Sequence, residues 1–144
     1  MEPIDILLIE DNDGDILLTK EALETKSMIN HMAIAKNGVD AIAYVNDMLE
    51  DSSMIFPDLI LLDINLPKKN GHEVLEFIKT HKQLKQIPVI VLTTSSSDKD
   101  IFTSYQHHAN CYITKPVDIM GFMDTISKIE DFWVNIVRLP KHYK

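Results

Sequence analysis

The chain has 144 residues, 45% of them hydrophobic and 25% charged, with a formal net charge of −8. That length supports one domain with a real core and is short for two, and the composition is that of a folded globular protein rather than a disordered one. Acidic and basic residues are scattered rather than blocked, and the net field disfavours nucleic acid, which needs a basic face. No apolar run approaches the roughly 20 residues needed to span a bilayer. The N-terminal MEPIDILLIE lacks the basic region and long apolar stretch of a signal peptide. A single cysteine, Cys111, excludes an internal disulfide and fits a reducing compartment. The expectation is an acidic cytoplasmic domain without a nucleic-acid or membrane partner.

Taken in chain order, short apolar runs alternate with amphipathic segments. IDILLI (Ile4–Ile9) reads as a buried strand, and the segment from Asp13 to Thr25 as a helix with Ile16, Leu17 and Leu23 mostly on one face. HMAIA (His31–Ala35) is strand-like, and Asn37-Gly38 breaks the chain before a helical stretch to about Glu50. DLILL (Asp58–Leu62) is the third strand. The helix behind it opens at Asn70, with Glu73 three residues on to reach back, and turns Val74, Leu75 and Ile78 inward. VIVLT (Val89–Thr93) is the fourth strand, followed by a helix start in Ser95–Asp100. CYIT (Cys111–Thr114) is the fifth, and a last amphipathic helix runs from about Asp118 past Trp133. Five β-α repeats with strands apolar on both faces predict an α/β fold, a doubly wound parallel sheet covered by helices on each side. Ligands of such sheets bind beyond the carboxyl ends of the strands.

At those ends stand Glu10-Asp11 after the first strand, Asp63 after the third, Thr93-Thr94 at the fourth and Lys115-Pro116 after the fifth. Two bare carboxylates ~5 Å apart repel by roughly 3 kcal/mol at an effective dielectric of ~20. Three together need a cation or must protonate, and oxygen ligands from acids, a carbonyl and waters suit Mg²⁺. Asp63 alone could be a helix cap, but Ile64-Asn65-Leu66-Pro67 delays the next helix by about seven residues. EDNDGD alone could be a polar turn; a calcium loop is out of register, since Gly14 as the turn glycine would place Ile9 and Lys20 at the end positions. Lys115 could be an ordinary surface lysine, or could neutralise a phosphate, aimed inward by a cis bond to Pro116. Thr93 could be a plain strand residue, with Thr94 able to exchange roles with it. A carboxylate nucleophile with a metal, a lysine and a hydroxyl can accept and hold a phosphoryl group.

This arrangement resembles the receiver domain of two-component response regulators over about Ile4 to Ile129. Thr93 lies 30 residues after Asp63, and Lys115-Pro116 another 22 on. The resemblance implies the flavodoxin-like (βα)5 strand order 2-1-3-4-5, with a receiver over residues 1–130 and an extension over 131–144. It implies that Glu10, Asp11 and Asp63, with the Asn65 carbonyl, hold Mg²⁺, and that Asp63 is the phosphoacceptor. It further implies Thr93 as switch hydroxyl, Tyr112 as switch aromatic and Lys115 as phosphate-binding lysine. Glu10 stands where Asp is usual. Such proteins take phosphate from a histidine kinase and shift the surface of helix four, strand five and helix five. They catalyse only their own phosphorylation and dephosphorylation, and are not otherwise enzymes.

LDINLPKKNGHEVL, IPVIVLTTS, NCYITKP and IEDFWVNIVRLP further resemble the stand-alone regulators paired with cyanobacterial and bacterial phytochromes. The implied partner is a phytochrome-type histidine kinase. Phe122, Met123, Ile126, Ile129, Trp133, Ile136 and Val137 recur at helical steps. The portion to Ile129 is expected to face the core. Phe132, Trp133, Ile136 and Val137 are expected to form an exposed apolar patch, the surface of a homodimer or kinase contact. About fifteen residues after the core are too few for a DNA-binding output, so the signal is expected to leave through protein contact. Two enzyme or carrier readings fit less well. A haloacid-dehalogenase-like phosphatase wants a second acid where Asn65 stands, and a flavodoxin-type carrier wants a Ser/Thr/Gly cradle where EDNDGD stands. A receiver relic that only mediates contacts is disfavoured by the intact set of five residues.

Overall fold

A computed structural model describes residues 3–24 and 28–141. Five strands, β1 (Ile4–Ile9), β2 (Ile29–Ala35), β3 (Leu59–Leu62), β4 (Val89–Thr93) and β5 (Cys111–Thr114), alternate with five helices. The helices are α1 (Asp13–Glu24), α2 (Gly38–Glu50), α3 (Gly71–Thr80), α4 (Asp98–Gln106) and α5 (Ile119–Glu130). All pairings are parallel, and the strand order is β2-β1-β3-β4-β5. The α/β class and strand order therefore match the sequence expectation.

Strand residues alternate between two cores, as a period of two requires. Leu7, Ile9, Ile60, Leu62, Val89 and Val91 meet α2 and α3 through Val45, Met48, Val74, Leu75 and Ile78. Ile6, Leu8, Leu59, Leu61, Ile90 and Leu92 meet α1 and α5 through Ile16, Leu23, Phe122, Ile126 and Ile129. The three central strands are buried on both faces except at the half-buried Asp5, which is why their sequences are otherwise almost wholly apolar.

Helix starts follow the capping rules. Asn37, Asn70, Ser97 and Asp118 each accept a hydrogen bond from the backbone N–H three residues on. The reciprocal contact expected of Glu73 is replaced by one to Lys69, whose Nζ lies 3.9 Å from its carboxylate. Leu17 corrects the sequence reading: it is exposed, while Ile16, Thr19, Ala22 and Leu23 form the buried face of α1. A residue beside Ile16 lies a quarter-turn round the helix, off the sheet. Thr25, the expected end of that helix, falls outside the described residues.

The last helix does not continue as an α-helix. Residues Asp131–Ile136 form a π-helical turn, with Val137 N–H donating to Phe132 C=O five residues back. The wider turn changes which residues face inward. Val134 is buried, Trp133 lies partly buried against the α1–α5 core, and Val137 is half-buried. Phe132 and Ile136 remain exposed. The expected four-residue exposed patch is thus reduced to Phe132 and Ile136 with the free edges of the other two.

Candidate functional site

Glu10, Asp63 and Lys115 each sit one step beyond a strand and are fixed by a backbone hydrogen bond to the neighbouring strand end. Glu10 N–H donates to Ala35 C=O and Asp63 N–H to Ile9 C=O, both at 3.0 Å. Lys115 N–H donates to Thr93 C=O at 2.7 Å. The parallel ladder thereby delivers acids and lysine to one place at the carboxyl edge of the sheet. The chain after Asp63 then folds back. Asn65 N–H donates to Asp63 Oδ1 at 3.0 Å, and Gly71 N–H donates to Ile64 C=O at 2.8 Å. A Cβ on Gly71 would stand 2.4 Å from the Asp63 carbonyl oxygen, so α3 begins against the backbone of Asp63.

Glu10, Asp11 and Asp63 bring one carboxylate oxygen each within 4.8 Å of the others. Glu10 and Asp63 are buried, whereas Asp11 is exposed. Lys115, itself buried, donates from Nζ to Glu10 Oε1 at 2.5 Å and to Asp63 Oδ2 and Asp15 Oδ2 at 2.9 Å each. Burial pushes the Glu10 carboxyl up to about 7, with the Asp63 charge adding to it and the Lys115 hydrogen bond opposing it. For Lys115 burial works against the charge, but hydrogen bonds to Glu10, Asp15 and Asp63 outweigh it and raise the ammonium above its ordinary value. The lysine thus balances two buried acids. A donor set made only of hard oxygens fits a hard divalent cation.

The inward aim of Lys115 does not come from a cis bond. Every peptide bond among the described residues is trans, and the backbone bond to Thr93 together with the three carboxylates directs the side chain. Thr93 is fully buried and its Oγ1 has no hydrogen-bond partner among the described residues. Thr94 is exposed, with Oγ1 3.5 Å from Asn65 Nδ2. Tyr112, half-buried, donates its hydroxyl to Ser95 C=O at 2.8 Å. Phe132, Trp133, Ile136 and Val137 belong to the final turn and not to this cluster. Asp15 was not anticipated. Its place in the first turn of α1, just behind the Glu10-Asp11 pair, was the available signal.

A buried carboxylate flanked by a lysine and further acids, at the strand-end crevice of a doubly wound sheet, is the arrangement of a receiver-type fold. Residues 6–127 match the response regulator receiver domain family, and the chain belongs to that family. It is 43% identical over 135 residues to the response regulator Rcp1 of Synechocystis sp., covering 94% of this chain and 92% of Rcp1. The phosphorylated cyanobacterial phytochrome response regulator RcpA superposes with a TM-score of 0.91 at 44% identity, covering 96% of this chain and 99% of RcpA. The Mn²⁺-bound form of Rcp1 superposes with a TM-score of 0.89 at 44% identity, covering 96% and 100% of the two chains. The protein is a signalling domain similar to phytochrome response regulators.

Proposed function

We propose that the protein accepts a phosphoryl group on Asp63 from the phosphohistidine of a phytochrome-type histidine kinase, with Mg²⁺ held by Glu10, Asp11, Asp63 and the Asn65 carbonyl. The observation that carries this is the buried Asp63 carboxylate held between Lys115 Nζ and the Asn65 N–H. One Asp63 oxygen attacks phosphorus, an O–P bond forms, the N–P bond of the donor breaks, and the imidazole leaves. When bound, the cation supplies charge neutralisation between the carboxylates and the incoming phosphoryl oxygens. Lys115 is already charged and desolvated where the new negative charge arrives, so little reorganisation is required. The otherwise unpartnered Thr93 hydroxyl is the donor available on the neighbouring strand end. Residues 1–130 carry this chemistry and residues 131–144 form an extension. Phe132 and Ile136, with the edges of Trp133 and Val137, supply the apolar face for a second copy of the chain.

The test is intact mass after incubation with acetyl phosphate and Mg²⁺. One phosphoryl group is expected on the wild type, and none after chelation or in Asp63→Asn. Unchanged labelling of Asp63→Asn would move the acceptor elsewhere. No gain with acetyl phosphate or with a phosphorylated phytochrome-type kinase would leave only a contact module.

A further inference from the structure

Behind Thr93 a chain of polar contacts crosses three elements, of which the receiver reading uses only Tyr112. His72, in the first turn of α3, donates from Nε2 to Asp100 Oδ1 at 3.0 Å, since a carboxylate can only accept. Asp100, in the first turn of α4, accepts on its other oxygen from Ser95 Oγ at 2.6 Å. Ser95 C=O accepts the Tyr112 hydroxyl from β5 at 2.8 Å. Tyr105 of α4 closes the circuit, its hydroxyl oxygen accepting from Tyr112 N–H at 3.2 Å.

Two features separate this circuit from solvent-exposed side-chain contacts. First, His72 and Asp100 are 28 residues apart and their side chains are only 19% and 29% exposed, so the pairing is a tertiary contact with reduced screening. Second, Asp100 spends both carboxylate oxygens on it, one on each neighbour. The Ser95 hydrogen bond, then that of His72, holds its carboxyl below the usual range. The only backbone between Thr93 and this carboxylate's Ser95 anchor is Thr94. The turn that must place the Thr93 hydroxyl is therefore pinned two residues downstream.

We infer that His72 and Asp100 are positioning residues that hold the Ser95 turn against the Tyr112 hydroxyl, and so keep the buried Thr93 Oγ1 ready for a phosphoryl group on Asp63. This rests on the phosphoacceptor reading above. Neither residue touches the reacting atoms. They act through Ser95, and the consequence is that α3, which begins against the Asp63 carbonyl, and α4, which carries Tyr105, are coupled to one turn. Freeing that turn adds conformations in which the Thr93 hydroxyl is misplaced, and phosphoryl transfer slows in proportion to their population.

The experiment measures acetyl phosphate uptake with Mg²⁺ by intact mass against time, with thermal midpoints recorded beside it. Asp100→Ala and His72→Ala are each expected to slow uptake by about three- to tenfold. His72→Gln, which keeps an N–H donor at a similar reach, should return the rate to within roughly twofold of wild type. A purely structural role would track the midpoints instead. The decisive arm is a double-mutant cycle: in a Tyr112→Phe background, which removes only the hydroxyl that meets Ser95, the Asp100→Ala effect should shrink to under about twofold. Wild-type uptake with unchanged rates in Asp100→Ala and His72→Ala overturns the inference, as do Asp100→Ala and Tyr112→Phe effects that simply multiply. Absence of uptake in the wild type overturns the phosphoacceptor reading and this inference together.

Discussion

Glu10 shows how a single buried acid sets conditions for the whole site. Its folded-state pKa is raised from 4.5 to about 7, so between those values the folded state binds more protons than the unfolded one. Stability therefore falls as pH rises through that window, and the loss is complete above about 7. The raised Lys115 pKa has the same sign but acts in a higher window: its contribution is fully present below 10.5 and is lost only as pH rises further. Urea midpoints of metal-free wild type and Glu10→Gln, measured at pH 5 and pH 7.5, should diverge, with wild type losing more on alkalinisation. Mg²⁺ should recover that loss in wild type, because a cation among the carboxylates replaces the proton. Parallel pH profiles for the two proteins would show that Glu10 ionises in the fold as it does in water.

At the scale of elements, α3 is held by its glycine. Gly71 opens the helix behind the Asn70 cap, and its missing side chain lets the first turn press on Asp63 C=O and Ile64 Cα, each within 2.5 Å of where a Cβ would stand. Gly71→Ala has to push this backbone apart, at a cost of about 2–3 kcal/mol. Because the displaced atoms belong to Asp63, the proposed acceptor, phosphoryl uptake should fall by more than the loss of folded protein accounts for. Denaturation midpoints and uptake rates on the same sample check this. A stable Gly71→Ala protein with wild-type uptake would mean that α3 can retreat without moving Asp63. Capping at Asn70 was readable from NGHE, since the rule is local. The close approach was not, because it depends on where β3 ends relative to α3.

On the scale of the molecule, the acidic chain closes around two cores, and the final π-helical turn decides what is left outside them. Val134 is 4% exposed and belongs to the α1–α5 core, while Ile136 is 70% exposed. Val134→Ala should lower stability by about 1–2 kcal/mol, and Ile136→Asp should change it by under about 0.5 kcal/mol. Sedimentation reads the second arm: if the apolar face receives another copy of the chain, Ile136→Asp weakens self-association while the monomer stays folded. Equal sedimentation of Ile136→Asp and wild type at every concentration would remove Ile136 from any such face.

The α/β class, five strands and five α-helices, and the convergence of Glu10, Asp11, Asp63 and Lys115 were legible in the sequence. Each depends on local periodicity, on caps, and on the rule that parallel strands end on one edge. What the sequence could not give required a neighbour distant in the chain or a change of helical period. Asp15 matters because Lys115, 100 residues away, reaches it. His72 and Asp100 meet only because α3 and α4 lie side by side. Val134 turns inward because the last helix widens where a regular period would have put Ile136 and Val137 on a common face. The sequence by itself determined which chemical groups arrive at the strand ends; the tertiary structure alone decided which of them share a lysine or a turn, because those pairings are set by packing across elements and not by spacing along the chain.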